Sequence, residues 1–304
     1  MKIGIKSGSP ARLQVPVAAA LLMVGMALCY APTANIARLM ADELNAVMIA
    51  LLRNAFGLVL LAPMLIRAGP SIFRTSRPGL HVLRSAFNLT SMLAWFWALP
   101  HIVLADGVAL MFTGPLFGAL GAVLFLGERL GSRRAGALAV GFAGALLIIR
   151  PSFDQAGLAL LAVAGSAAGW AAMGLCNKQL TRTDTTEQIV ALNLLIVLPF
   201  SAALALLDWQ WPTPTMWALG AVHGMLGTIA HICMARALSH ADASFCMPFD
   251  FTRLPIAAAI AYLLFGQLPD VWTMVGAAVI FSATLYVTLR ERAAHRRPER
   301  APWT

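Results

Sequence analysis

The chain is poor in charged residues. Asp, Glu, Lys and Arg together make up 12% of its 304 residues, whereas 60% of the residues are hydrophobic. Soluble domains average roughly 25% charged residues, so this composition excludes an ordinary soluble fold and leaves no room for a separate soluble domain. It is typical of a polytopic, all-α membrane protein.

Cysteine is also scarce and shows no paired spacing. The four cysteines, Cys29, Cys176, Cys233 and Cys246, all lie within apolar segments. This pattern predicts reduced packing residues and indicates neither a disulfide framework nor a metal site. We therefore expect no metal and no cofactor.

Motifs of several pump and enzyme classes are missing. The sequence has no G-x-x-x-x-G-K-[ST] phosphate-binding loop, so a self-contained ATP motor of that kind is not expected. It also has no H-E-x-x-H, no G-x-S-x-G and no repeated acidic motif. An intramembrane lipid-modifying enzyme is therefore the weaker alternative, and we expect no catalytic residues.

Ten apolar segments separated by polar breaks predict ten membrane-spanning helices, because a bilayer core takes about 20 apolar residues. Their approximate bounds are 14–36, 44–66, 79–99, 103–127, 132–150, 157–179, 186–206, 215–238, 243–265 and 271–289. In this scheme seventeen Lys and Arg residues lie on the side of the N-terminus, and only Arg38 and Arg150 lie on the other side. This excess predicts that both termini are cytoplasmic.

The net charge of +9 does not indicate nucleic-acid binding. The basic residues lie at predicted helix ends and not in a patch with stacking aromatic residues. The tail at 291–304 is expected to be a basic cytoplasmic end that touches anionic lipid. The expected partners are the lipid bilayer and a small-molecule substrate, and a monomer is the working assumption.

The sequence repeats itself weakly at an offset of 139 residues. Phe112-Thr113 corresponds to Phe251-Thr252, and Gly127-Glu128 corresponds to Gly266-Gln267. One offset that holds across this stretch indicates two copies of one unit. Since five helices per copy is an odd number, the second copy enters the membrane inverted, as in many transporters. We predict two inverted five-helix repeats, at 15–150 and 157–290.

The most specific stretch runs from Pro115 to Glu128 and is followed by Arg133-Arg134 and by Gly141-Phe142-Ala143-Gly144. Together with the repeats, it resembles the drug/metabolite transporter superfamily, and within it the EamA-domain family. The resemblance covers residues 15–290 and implies ten helices around a central cavity, lined by the first, third, fourth, sixth, eighth and ninth helices. Gln267 replaces the glutamate of the motif in the second copy, which favours a helix-end role for that acid.

Members of that family move amino acids, nucleotide-type metabolites or drugs, and the chain is similar to the bacterial amino-acid and metabolite exporters, including those for aromatic amino acids. The resemblance thus implies a secondary transporter of the inner membrane that exports small organic metabolites, above all amino acids, by alternating access. Uptake or exchange of another metabolite, such as a nucleotide-type compound or a drug, is the alternative.

One face of the predicted third helix is a candidate wall of a solute path. Arg84, Asn88, Ser91 and Trp95 follow one another at spacings of one helical turn. Polar groups inside a membrane span are costly and need a partner or a function. In the alternative interpretation Arg84 reaches the inner headgroups and Asn88 bonds a neighbouring helix.

Other spans carry isolated candidates. His223 and His231 are two turns apart, so they do not chelate one metal ion, and each is expected to bond across helices, with substrate contact as the alternative. Trp170 lies among small residues at mid-span, where it either fills a gap or forms a cavity wall. Arg53-Asn54 is expected to bond carbonyl groups of a neighbouring helix and not the carboxylate of a substrate.

The predicted ninth helix holds a charged pair, Asp250 and Arg253, one turn apart. At the repeat offset these positions correspond to Met111 and Gly114, so the shared fold does not require the pair. Either the pair neutralises itself, or Arg253 binds a substrate carboxylate and Asp250 its ammonium group. The predicted substrate-binding set is Asn88, Ser91, Trp95, Phe112, Trp170, His223, Phe249, Asp250 and Arg253.

Overall fold

The computed structural model describes residues 11–126, 132–149, 155–240, 249 and 252–295. These residues form α-helices, two short 3-10 helices (Gly69–Phe73 and Leu99–His101) and, within the ranges given, no strand. The α-helices are α1 (Ala11–Met40), α2 (Ala46–Ala68), α3 (Pro78–Ala98), α4 (Leu104–Met111), α5 (Gly114–Leu126), α6 (Ser132–Ile149), α7 (Gln155–Leu180), α8 (Thr186–Ala205), α9 (Pro214–His240), α10 (Arg253–Phe265) and α11 (Val271–His295).

Within the described ranges, six helical segments are long and apolar enough to cross a membrane. They are Val17–Met40, Ala46–Phe73, Leu104–Gly121, Ala156–Leu180, Glu187–Ala205 and Pro214–Met234, and three shorter apolar helices are Ala135–Ile149, Arg253–Phe265 and Val271–Tyr286. Only helices satisfy every backbone group within one segment in lipid. The prediction of an all-helical membrane protein is therefore confirmed, whereas the start of the predicted ninth span, 243–248, lies outside the described residues.

The predicted fourth span is broken into α4 and α5. Phe112 and Thr113 form a turn between the two helices, and the backbone N–H of Thr113 donates to the carbonyl of Leu110 at 2.9 Å. Pro115, at the start of α5, has no N–H, and its ring conflicts with a straight helix preceding it. The turn places Phe112 at a bend in the middle of the span.

The helices pack in matched contacts. The contact of α1 with α9 matches that of α7 with α3, and the contact of α2 with α9 matches that of α8 with α3. In addition, α2 packs against α8, and α6 packs against α11. Exchanging α1, α2 and α3 for α7, α8 and α9 converts the α1–α9 contact into the α3–α7 contact and the α2–α9 contact into the α3–α8 contact, and it leaves the α2–α8 contact unchanged. The largest buried apolar cluster among the described residues draws side chains from all eleven α-helices, among them Met40, Met48, Leu110, Leu116 and Ile280.

Glycines allow the closest crossings. A Cβ atom on Gly224 of α9 would lie 2.6 Å from the carbonyl oxygen of Arg53 in α2, and one on Gly276 of α11 would lie 2.7 Å from the carbonyl oxygen of Gly144 in α6. Helices in a membrane approach this closely only where the contact residue is small. The position of α2 against α9, on which the site described below depends, therefore requires glycine at residue 224.

Hydrogen bonds join loops at both ends of the bundle. At the N-terminal end of α3, Thr75 Oγ1 donates to Asp184 Oδ2 at 3.0 Å, and His81 Nε2 lies 3.2 Å from the same oxygen. At the opposite end, Asn45 Nδ2 donates to Asp208 Oδ2 at 2.9 Å. Each link ties the loop that precedes α2 or α8 to a loop that belongs, by sequence, to the other half of the chain.

Candidate functional site

Four rings and one guanidinium meet in the middle of the bundle. They are Tyr30 of α1, Phe112 at the α4–α5 break, Trp170 of α7, His231 of α9 and Arg253 at the start of α10. We call this group the central ring cluster. Because its members come from five segments, it forms only when the helices of both halves pack together.

His231 is the centre of the ring contacts. The Tyr30 ring meets it edge to face, with ring centres 5.9 Å apart and an angle of 84°, and the Trp170 ring lies 5.8 Å away at 39°. The guanidinium carbon of Arg253 lies 5.4 Å from the centre of the Tyr30 ring and 4.6 Å from that of Phe112. A planar guanidinium suits such stacking, because it has a flat face and is weakly hydrated.

The hydrogen bond of His231 determines which ring nitrogen accepts. Its Nδ1 lies 2.8 Å from the carbonyl oxygen of Gly227, one turn earlier in the same helix. A carbonyl oxygen only accepts, so Nδ1 carries the proton, and Nε2 of the neutral ring is an acceptor. The cluster thus combines flat apolar faces with one cationic donor and one neutral acceptor.

Four of the five members of the central ring cluster are not fully buried. Tyr30, Trp170, His231 and Arg253 are all partly exposed, although each contacts a side chain from another helix, whereas Phe112 is only 3% exposed. Sites for small molecules combine apolar and aromatic walls with a few placed polar groups. This arrangement can hold a flat ring that carries hydrogen-bonding atoms on its edge, and the cavity-wall interpretation of Trp170 stays a prediction.

The alternative interpretation of Arg84, in which its side chain reaches the inner headgroups, is wrong. Arg84 is 6% exposed, its Nε donates to Asn177 Oδ1 of α7, and one terminal nitrogen donates to the carbonyl oxygen of Ile189 in α8 at 3.3 Å. The side chain is long enough to satisfy itself on two neighbouring helices, which costs less than burying an unpaired cation. Arg84 therefore links α3 to α7 and α8.

The rest of the α3 face packs against α7 and α4. Ser91, 3% exposed, lies against Gly169, and its carbonyl accepts a hydrogen bond from Ser166 Oγ at 2.7 Å. The Trp95 ring covers Gly107 of α4, and Asn88 is buried. In the part of the chain that the structure describes, none of these three side chains forms a hydrogen bond or a ring contact with the central ring cluster.

The remaining predicted residues are placed as follows. His223 is 2% exposed with its ring 5.5 Å from that of Phe96, and no described residue bonds its buried Nδ1. The expected bond across helices is thus wrong for that atom, and also for His231, whose bond stays within α9. Phe249 packs against a buried apolar cluster of α1 and α9 that includes Met23, Met26 and Ala230. Asp250 lies outside the described residues.

The expectation for Arg53 is also wrong. Its guanidinium donates to the sulfur of Met92 in α3, with nitrogen and sulfur 3.0 Å apart, and it does not bond a carbonyl group of a neighbouring helix in the described residues. It lies over Gly227, where a Cβ atom would be 3.5 Å from two of its nitrogens. The absence of a side chain at Gly227 leaves room for the guanidinium between α2, α3 and α9.

Sequence reasoning missed Tyr30. A signal for it exists, because Tyr30 lies 140 residues before Trp170, one residue away from the repeat offset of 139. Both residues are large aromatic rings in the first helix of their repeat, and the structure brings both against His231. An aromatic residue that recurs at the repeat offset within a span was the available indication.

Known proteins and one family model match this chain over nearly its full length. Residues 17–150 and 157–289 each match the EamA-like transporter family. The chain is 34% identical over 287 residues to a riboflavin transporter of Vibrio cholerae, covering 93% of this chain and 96% of that protein. It is 27% identical over 255 residues to an S-adenosylmethionine uptake transporter of Rickettsia bellii, covering 84% and 88%.

A solved crystal structure shares the fold. Its TM-score with this chain is 0.65 at 20% sequence identity, and the match covers 90% of this chain and 98% of the solved one. The family match covers most of the chain, and the riboflavin transporter is similar over nearly the full length of both proteins. The chain therefore belongs to the EamA-like transporter family, within the drug/metabolite transporter superfamily.

Proposed function

We propose that the chain is a secondary transporter that moves a flat heteroaromatic metabolite, with riboflavin as the leading candidate, across the inner membrane by alternating access. The observation that carries the proposal is the contact of Tyr30 and Trp170 with one ring, His231, at mid-span. The similarity to a riboflavin transporter over 93% of the chain supports the same substrate.

The chemistry of the central ring cluster fits an isoalloxazine ring. That ring is flat, and its imide edge presents two carbonyl acceptors around one N–H donor. The guanidinium of Arg253 supplies donors, and the unprotonated Nε2 inferred for His231 supplies an acceptor. Offset or edge-to-face contacts with Tyr30 and Trp170 would each contribute about 0.5–1.5 kcal/mol beyond area burial.

The proposed transport cycle uses ten helices in two inverted repeats, at 15–150 and 157–290. The matched helix contacts support this arrangement, as do the two separate family matches. Two halves with the same internal structure can exchange conformations, which opens a site between them to one side and then to the other. We further propose that both termini and the basic tail 291–304 are cytoplasmic, on the Lys and Arg distribution.

Export of amino acids stays a prediction with less support. The relatives named above are transporters of riboflavin or S-adenosylmethionine. Zwitterion binding would depend on the Asp250–Arg253 pair, of which Asp250 lies outside the described residues. Asn88, Ser91, Trp95, His223 and Phe249 remain proposed as more distant wall residues of the solute path. A free aromatic amino acid has a ring that the same cluster could take, so it belongs in the substrate panel.

A transport assay in proteoliposomes tests this function. Purified protein is reconstituted, and uptake of labelled riboflavin, tryptophan and S-adenosylmethionine is measured with the unlabelled compound loaded inside. We expect counterflow of riboflavin, with weak or no counterflow of tryptophan. Counterflow of tryptophan alone would replace riboflavin with an amino-acid substrate, and His231→Ala should abolish the signal with either compound.

A further inference from the structure

Arg53 occupies a second site next to the central ring cluster. Its guanidinium rests on Gly227, whose carbonyl group accepts the hydrogen bond of His231. Met92 of α3 accepts a hydrogen bond from Arg53. Phe96 lies one turn further along the same helix. Gly227 of α9 therefore lies between the guanidinium of Arg53 and the ring of His231.

The guanidinium has poor compensation for its charge. Among the described residues, it donates to a thioether sulfur, which is a weak acceptor. Among the residues that the structure describes, the only ion pair joins His81 to Asp184, so no described carboxylate pairs with Arg53. A cation at membrane depth without a strong acceptor is costly, and such residues mark paths for solutes or ions.

Neither the fold nor snorkelling accounts for Arg53. The position 139 residues later in the chain is Leu192, so the corresponding place in the second half holds an apolar residue. The side chain is also turned toward α3 and α9 and not toward a helix end, because its contacts are with Met92 and Gly227. It is half-buried, while the adjacent Asn54 is 1% exposed.

We propose that Arg53 forms a second binding subsite, which takes an anionic oxygen group, a carboxylate or a phosphate, on a substrate whose ring lies in the central ring cluster. The inference rests on the proposed function, because it uses the same ring site. A guanidinium binds such groups with two parallel N–H···O bonds. In a low-dielectric site this charge-assisted contact makes the protein bind an anionic ring compound more tightly than its neutral counterpart. Riboflavin, the leading candidate for transport, is neutral and would use the central ring cluster without this subsite.

Matched pairs of ligands test the subsite by isothermal titration calorimetry on the full-length protein in lipid nanodiscs. One pair is FMN and riboflavin, and the other is indole-3-acetate and indole-3-acetamide. The two members of each pair carry the same ring and differ in the presence of an anionic group. The variants are Arg53→Gln and Arg53→Lys, with Arg74→Gln as the control, because Arg74 is an exposed loop residue.

Wild type should bind the anionic member of at least one pair about 10-fold or more tightly than the neutral member, as a charge-assisted hydrogen bond supports. Arg53→Gln should remove that preference and change the affinity for the neutral member by less than about 2-fold. Arg53→Lys should keep part of the preference for the anionic member, and Arg74→Gln should keep all of it. Equal binding of both members, no binding of either anion, or a preference that persists in Arg53→Gln overturns the proposal.

The second pair separates this inference from the proposed function. If neither flavin binds but the indole pair shows a preference that Arg53→Gln removes, the riboflavin assignment fails and the subsite stands. Thermal unfolding gives an independent readout of the role of Arg53. A functional cation is a cost to the fold, so Arg53→Met should unfold at the same temperature as wild type or higher, and a clear drop would assign Arg53 to the fold and overturn the subsite.

Discussion

The guanidinium carbon of Arg253 lies 4.6 Å from the centre of the Phe112 ring. This contact joins the first residue of α10 to the break between α4 and α5. Arg253→Lys keeps the charge but loses the flat stacking face, so we expect transport at low substrate concentration to fall roughly 5-fold to 30-fold, the equivalent of about 1–2 kcal/mol. Initial rates in proteoliposomes measure the effect.

Phe112→Leu, which removes the same contact from the other side, should cause a similar loss. If the pair acts as a unit, the double variant should be little worse than either single variant, since the interaction can be lost only once. Losses that multiply fully would mean that the two residues act independently.

The buried link between α3 and the α7–α8 loop should matter for stability. Asp184 accepts from Thr75 and lies 3.2 Å from His81, and both side chains of the His81–Asp184 pair are 2% exposed. Asp184→Ala leaves buried donors unpaired, which should cost about 3 kcal/mol or more. Thermal unfolding in detergent should show a lower midpoint, with Asp42→Ala, at an exposed position, as the control that leaves it unchanged.

Gly224→Ala should separate α2 from α9. The added Cβ would lie 2.6 Å from the carbonyl oxygen of Arg53 and 2.9 Å from the Cβ of Phe56, and neither atom belongs to a flexible side-chain end. We expect a lower unfolding temperature and loss of transport. Gly25→Ala in α1, where nothing lies within 4 Å, should be tolerated; equal damage by both substitutions would mean that helix flexibility, and not the crossing, is at stake.

The all-helical membrane architecture could be predicted from sequence, because hydropathy acts within one segment. The fourth span was predicted as one segment, although Pro115 was the available signal for the break in it. Trp170 could be selected because tryptophan at mid-span is unusual. The partners of Arg53 and Arg84 could not be predicted, since they depend on which helices pack together. The role of Tyr30 required the α1–α9 contact, which joins opposite halves of the chain.

The proposed orientation can be tested by cysteine labelling from outside the cell. In a variant without native cysteines, single cysteines at Asp208 and Asp270 should react with a membrane-impermeant thiol reagent, because the loops that hold them are proposed to be external. A cysteine at Arg74 should react only after the membrane is permeabilised. Reaction of the Arg74 position in intact cells would reverse the topology.

Binding of riboflavin, measured through its own fluorescence, tests the central ring cluster most directly. Flavin emission falls when the ring stacks on tryptophan or tyrosine, so titration with wild-type protein should give saturable quenching. Trp170→Leu should weaken the apparent affinity about 10-fold, as loss of a stacked ring implies, whereas Trp211→Leu, at a side chain that is 82% exposed, should leave it unchanged. No saturable quenching by wild type, or equal quenching by Trp170→Leu, would contradict the account.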